Sequence, residues 1–364
     1  MFEQQSDRET AEKSYRSRLF ALAATATVAL TIGIAASPET AGTAATHGTP
    51  FTPEMPLGLD VDMFNVPDDN PLTKEKVALG KLLYFDGRLS VDGTVSCASC
   101  HHPNKGFGDG RKVSAGVGGQ LGGRNAPTVI NTSFNYFQFW DGRAPSLEEQ
   151  AKGPIENPIE MGTTHEAVVE KISGIEGYKP LFVAAYGTDE VNIDRIAQAI
   201  ASYERTVLSG NSAWDRFVYA NDKEAMSQSA QRGLELFEGK ALCTRCHVGF
   251  NLTDGLFHNL GVGMTAKDPD LGRYKVTSKD EDKGAFKTPT LRDISRTAPY
   301  MHDGSVETLE GVVDLYVRGG EQNQWLDPKM EALDLNGQEK ADLVAFLRSL
   351  DGDWKPEAEP KLPN

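Results

Sequence analysis

Cationic residues are scarce in this chain: 37 Lys and Arg stand against 52 Asp and Glu, a formal net charge of −15 over 364 residues. Such a balance disfavours nucleic acid and anionic membrane surfaces as partners. It either steers a basic or locally positive protein toward the surface or serves solubility alone. Long apolar runs are missing beyond the N-terminal region, so the body of the chain is not expected to cross a membrane. The bias of a disordered chain is absent outside the ends: 39% of residues are hydrophobic and 24% charged, enough for two modest globular domains.

The N-terminus is the exception. Arg16 and Arg18 precede an apolar run from Leu19 to Ala36, followed by a Ser/Thr/Gly/Pro-rich stretch through Pro50. This pattern predicts an export signal and linker over residues 1–50, and hence a periplasmic location. Small-residue cleavage sites end near Ala36 and Ala45, and the run is also long enough to serve as an uncleaved anchor.

Cysteine is rarer still. The four residues fall as Cys97-Ala-Ser-Cys100-His101 and Cys243-Thr-Arg-Cys246-His247. Exported cysteines ordinarily form disulfides, but C-x-x-C-H is the attachment motif of haem c. Two thiols one helical turn apart add to the vinyl groups, and the adjoining imidazole supplies the proximal iron ligand. Two copies that consume every cysteine argue against zinc or thiol redox chemistry.

Each motif sits inside a repeated unit. Val77–Phe85 precedes the first and Gln231–Phe237 the second, both reading as short amphipathic helices ending on an aromatic. After a long irregular stretch comes a closing helix. Ile193, Ile196, Ala197, Ile200, Tyr203 and Val207 mark one apolar face, and Leu343, Val344, Phe346, Leu347 and Leu350 the other. The expected fold is mainly α: two cytochrome c-like helical domains with long irregular loops, each with one covalently bound haem c. Their predicted bounds are 51–210 and 211–352, with a flexible, Pro- and charge-rich tail over 353–364. The glycine-rich loop Gly116–Gly123 suits either a close approach to a flat cofactor or a surface turn.

Other segments complete a pattern: Arg124-Asn-Ala-Pro-Thr128, Phe139-Trp-Asp-Gly-Arg-Ala144, Glu148-Glu-Gln150, Asn157-Pro-Ile-Glu-Met161, Lys287-Thr-Pro-Thr-Leu-Arg292 and Ala298-Pro-Tyr-Met-His-Asp-Gly304. Together with the two haem motifs, they resemble the bacterial di-haem cytochrome c peroxidase and MauG superfamily over nearly the whole mature chain. The resemblance implies a peroxide-reacting N-terminal haem, an electron-transfer C-terminal haem, a tryptophan between them and a calcium ion near the domain interface. The bridging tryptophan matches Trp140. The peroxide pocket matches Gln150 and Glu160, with Pro154 as an apolar wall; a carboxylate there moves a proton between the two peroxide oxygens. The calcium ligands match the Asn125 side chain and the Thr297 and Pro299 carbonyls.

Two departures from the usual peroxidase pattern stand out. Val117 occupies the position where many family peroxidases carry a histidine that caps the first haem, so this haem is expected to be open. At the second haem, where many peroxidases use methionine, the aligned residue is Tyr316, as in the MauG branch. A phenolate stabilises higher oxidation states where a thioether raises the potential. Alternatively, Tyr316 is an ordinary helix-face residue and Met264, Met301 or Met330 ligates. His102, His165 and His258 read as loop or surface residues, and His302 as a group near the second haem. The resemblance implies peroxide-driven oxidation of a protein substrate. The MauG branch acts on a methylamine dehydrogenase precursor, completing its tryptophan tryptophylquinone. The alternatives are peroxide reduction with electrons from a small cytochrome c or cupredoxin, and non-catalytic electron transfer.

Overall fold

The computed structural model describes residues 47–354 and 358–364, which belong to one compact body; the export-signal reading lies outside them. The body is mainly helical. Its one sheet is a two-stranded antiparallel ribbon in which Phe257 pairs with Lys287 and His258 with Phe286. No helix among the described residues is long and apolar enough to cross a membrane.

Two apolar cores organise the chain, and both use one device. In the first, a leading helix, Lys74–Phe85, starts where the Thr73 side chain accepts from the Lys76 amide, and buries Leu79, Gly80, Leu83 and Tyr84. It crosses the closing helix Ile193–Glu204, capped by Asn192, which buries Ile196, Ala197, Ala199, Ile200 and Tyr203. Gly80 permits the crossing, because a Cβ there would collide with the Ala199 carbonyl. In the second, the leading helix Gln228–Glu238 crosses the closing helix Gly337–Arg348, whose start is fixed by a reciprocal Asn336/Glu339 capping box. Here Gly233 meets the backbone carbonyl of Asp342. The sequence periodicity anticipated all four helices.

The first core draws on residues from Leu79 to Tyr203, and the second on residues from Trp214 to Leu350. Buried polar contacts join the two halves. Arg292 pairs with Asp215, both almost wholly inaccessible, and also donates 2.9 Å to the Gly58 carbonyl. Arg124 bridges Asp141 and Asp270 at 2.7 and 2.6 Å.

The expected loose tail is corrected by the structure. Trp354 packs on Phe107 with ring centroids 5.4 Å apart, Arg88 donates 2.9 Å to the Pro363 carbonyl, and the Gly177 amide donates 3.0 Å to that of Asn364. The absence of a side chain at Gly177 lets Pro363 and Asn364 come in close.

Candidate functional site

Cys97 and Cys100 lie on a single helical turn, Cys97–Cys100, held at its start by the Ser96 amide donating 3.0 Å to the Ser99 hydroxyl. The turn ends on His101, whose amide donates 2.9 Å to the Cys97 carbonyl, while its Nδ1 meets the Phe107 carbonyl at 3.2 Å. The second motif repeats the arrangement. The His247 amide donates 2.9 Å to Cys243, and Nδ1 meets the Leu252 carbonyl at 2.9 Å. With Nδ1–H donating to a carbonyl, each Nε2 lone pair is left for a metal. Burial lowers the pKa of both imidazoles, and it raises the Cys243 thiol to about 12 and Cys97 further still.

Both motifs face one cavity of about 880 Å³. Among the residues lining it are Gln150, Pro154 and Glu160 with the first motif, Tyr316 with the second, and Trp140, Asn125, Thr297 and Pro299. Gln150 and Pro154 are one turn apart on the helix Leu147–Glu156, so they share a face. That helix is fixed to the first closing helix by Glu148, which accepts from the buried Arg205 at 2.7 and 3.2 Å and from Asn70 at 2.7 Å. Glu160 accepts 2.9 Å from the Asn157 side chain. Burial raises its carboxyl above the ordinary range, and Arg143 and Asn157 only partly oppose that.

The glycine loop acts on Glu160 as well. Gly116 packs against the Ile159–Glu160 backbone, and the amide of the buried Val117 donates 2.9 Å to the Glu160 carbonyl. On the other side, Tyr316 extends from the helix Leu309–Val317. Burial raises its phenol, and the nearby Cys243 and Cys246 raise it further. Met301 and Met330 also line the cavity, whereas Met264 stands against Gly284.

Trp140 is strapped from both sides. Its indole N–H donates 2.9 Å to the Asn125 carbonyl, and its own carbonyl accepts 2.8 Å from the Lys287 amide. His302 is buried, stacks on Phe286 at 3.6 Å and lines the same cavity.

Two residues depart from the sequence reading or escape it. His258 is buried, not a surface residue, because carboxylates hold both ring nitrogens: Asp254 at 2.8 Å and Asp327 at 2.6 Å. Burial alone would lower its pKa, but the carboxylates carry it up to about 11. Asp254 four residues earlier was a readable signal; Asp327 was not. The cluster Cys246, Asp254 and His258 has metal-like spacing, yet both imidazole nitrogens are engaged and Cys246 belongs to the thiol pair. Glu204 lines the cavity with one carboxylate oxygen unpartnered, and burial raises it to about 8.

The donor set fits haem c. Each half offers two half-buried thiols, one imidazole with a directed Nε2, and apolar walls around a common space.

Comparison with known proteins agrees. Residues 74–224 match the family model described as di-haem cytochrome c peroxidase. The methylamine utilization protein MauG of Methylorubrum extorquens is 42% identical over 298 residues, covering 82% of this chain and 84% of that protein. Cytochrome c551 peroxidase of Nitrosomonas europaea is 40% identical over 295 residues, covering 80% and 85%. A solved MauG-like protein associated with microbial copper homeostasis superposes with a TM-score of 0.77 at 33% identity, covering 83% of this chain and 96% of that one. The chain therefore belongs to the di-haem cytochrome c peroxidase family, peroxidase-type enzymes that carry haem c.

Proposed function

We propose that this enzyme uses hydrogen peroxide at the first half of the cavity to oxidise a protein substrate through the second, in the manner of MauG. When bound, the haems supply the redox-active iron. The observation that carries this reading is Tyr316: it is half-buried and lines a common space with Cys243, Cys246 and His247, on the helix Leu309–Val317. A phenol offers an anionic oxygen ligand, which favours storage of an oxidising equivalent over delivery of electrons.

The residues divide the work. Glu160, raised by burial and steadied by Asn157, would carry a proton from one peroxide oxygen to the other. Gln150 orients the peroxide, and Pro154 keeps that wall dry. Two electrons and two protons then convert peroxide to two waters, the electrons coming from the protein substrate by way of Trp140. Asn125, whose amide nitrogen donates 2.9 Å to the Arg111 carbonyl, offers its side-chain oxygen to a calcium ion together with the Thr297 and Pro299 carbonyls. The Arg16/Arg18 apolar segment supports export to the periplasm.

The second reading is peroxide reduction with electrons from a small cytochrome c or cupredoxin. It draws on the peroxidase relative and on Met301 and Met330 at the cavity wall.

Low-temperature EPR of the ferric protein separates the two. One high-spin and one low-spin signal, the latter altered in Tyr316→Phe, is the expected result. A low-spin signal unchanged in Tyr316→Phe but lost in Met330→Leu or Met301→Leu would hand the case to the peroxidase reading.

A further inference from the structure

His258 is bounded by carboxylates on both sides. Its Nε2 lies 2.8 Å from an Asp254 oxygen and its Nδ1 2.6 Å from an Asp327 oxygen. Burial raises both carboxyls, but hydrogen bonds from His258 bring them below the ordinary range, so they are ionised. An ionised carboxylate only accepts. Both ring nitrogens therefore carry hydrogen, and the ring is an imidazolium. The side chains of His258, Asp254 and Asp327 are 6%, 12% and 16% accessible, which keeps the three charges largely out of water. The remaining oxygen of each carboxylate accepts from a backbone amide, that of Leu256 at 3.0 Å for Asp254 and that of Lys329 at 2.8 Å for Asp327.

This clamp stands against the second haem motif. The Asp254 amide donates 2.8 Å to the Cys246 carbonyl, and ligand atoms of Cys246, Asp254 and His258 all lie within 4.8 Å of one another. The Cys246 sulfur is one of the two that bond the second haem, so the clamp lies next to the porphyrin edge. Two carboxylates against one imidazolium leave a negative charge in excess. Lys329, 3.8 Å from Asp254, is 37% exposed, and water screens its contribution.

We propose that the Asp254, His258 and Asp327 clamp is a fixed charge at the second haem that favours its higher oxidation states, with His258 as the positioning residue that holds both carboxylates in place. The inference rests on the haem reading of the cavity. It acts in the same sense as a phenolate from Tyr316 without depending on one. Reduction brings an electron beside an excess negative charge, which lowers the midpoint potential. Converting Cys246 to a thioether does not undo the imidazolium, because the two carboxylates hold its proton more strongly than that sulfur does.

The test is a charge series on the complete enzyme. Haem is counted as the pyridine haemochromogen, and the second haem's midpoint potential is then measured by spectroelectrochemistry. Two haems per chain are expected throughout. Asp327→Asn and Asp254→Asn each remove a negative charge and should raise the potential, whereas His258→Gln removes the positive one and should lower it. The double variant His258→Gln/Asp327→Asn restores the original sum and should return close to wild type; a purely structural clamp would be broken there as well and show no return. If His258→Gln does not fold, the two Asn variants carry the comparison. Unchanged potentials, a fall in the Asn variants, or a shift confined to the first haem would overturn the proposal. A wild-type chain with fewer than two haems would instead sink the cofactor reading beneath it.

Discussion

Asp215 and Arg292 form the least exposed ion pair among the described residues, which makes the pair a point of weakness. Their side chains are 0% and 1% accessible, and Arg292 donates to both carboxylate oxygens, at 2.8 and 2.9 Å. The guanidinium also donates 2.8 Å to the Phe250 carbonyl and 2.9 Å to Gly58, while Asp215 caps its own helix by accepting from Ser212. Asp215→Asn keeps the shape but turns an acceptor into a donor facing another donor, and leaves a buried cation without its counter-charge. Breaking one partner of such a pair costs about 3–5 kcal/mol. Water cannot compensate at these exposures, so the upper part of that range is expected. For a domain of this size the loss lowers the melting temperature by on the order of 10 °C. Urea unfolding of the haem-loaded protein should be followed at the second haem as well as by circular dichroism, since the two cores need not melt together. The double variant Asp215→Asn/Arg292→Met should recover part of the loss, because it removes the stranded charge. A loss within about 1 kcal/mol in Asp215→Asn would refute the reasoning.

Gly80→Ala and Gly233→Ala should each destabilise their own core by about 1–3 kcal/mol, overpacking against a backbone carbonyl outweighing the ~1 kcal/mol gained in helix propensity. Alanine variants as stable as wild type by thermal melting would mean that the helices can part. Glu160→Gln should keep both haems while slowing the stopped-flow reaction with peroxide by roughly 10²–10⁴-fold; an unchanged rate would remove the proton-transfer role. Glu204 is held at about 8 against an ordinary 4.5, so the folded state keeps a proton that the unfolded chain loses. Its stabilising contribution is full below about 4.5 and lost as pH rises to about 8, with a slope of up to ~1.4 kcal/mol per pH unit. Glu204→Gln should flatten that part of the stability profile, and a profile parallel to wild type would show that the carboxyl is not protonated in the fold.

What could be read from the sequence was local. Cysteine spacing gave the cofactor, and helical periodicity gave the two leading and two closing helices. Gly80 and Gly233 could be seen as matching positions, although not as the points where helices touch. Trp140, Gln150, Pro154, Glu160 and Tyr316 became legible only through a family pattern, since nothing in their spacing makes a cavity. His258 was misread because one of its two carboxylates, Asp327, is 69 residues away. The tail was misread for the same reason: Arg88, which holds Pro363, is 275 residues distant, and a Pro- and charge-rich composition carries no trace of it.

The same distinction explains why two similar halves can do different things. Each motif turn is built by the same short-range bonds: histidine amide to the first cysteine carbonyl, Nδ1 to a carbonyl a few residues on. Those bonds direct Nε2 but do not decide what stands across from it. That depends on later segments, Leu147–Glu156 with Glu160 in one half and Leu309–Val317 in the other. Chemistry can therefore diverge between the halves while both attachment turns stay intact. Trp140 is held between them by backbone partners at Asn125 and Lys287, so its placement depends on how the two halves pack more than on any neighbouring side chain. Substitutions at the packing seam, such as Arg124 with its paired aspartates, should thus disturb communication between the haems before they disturb either haem alone.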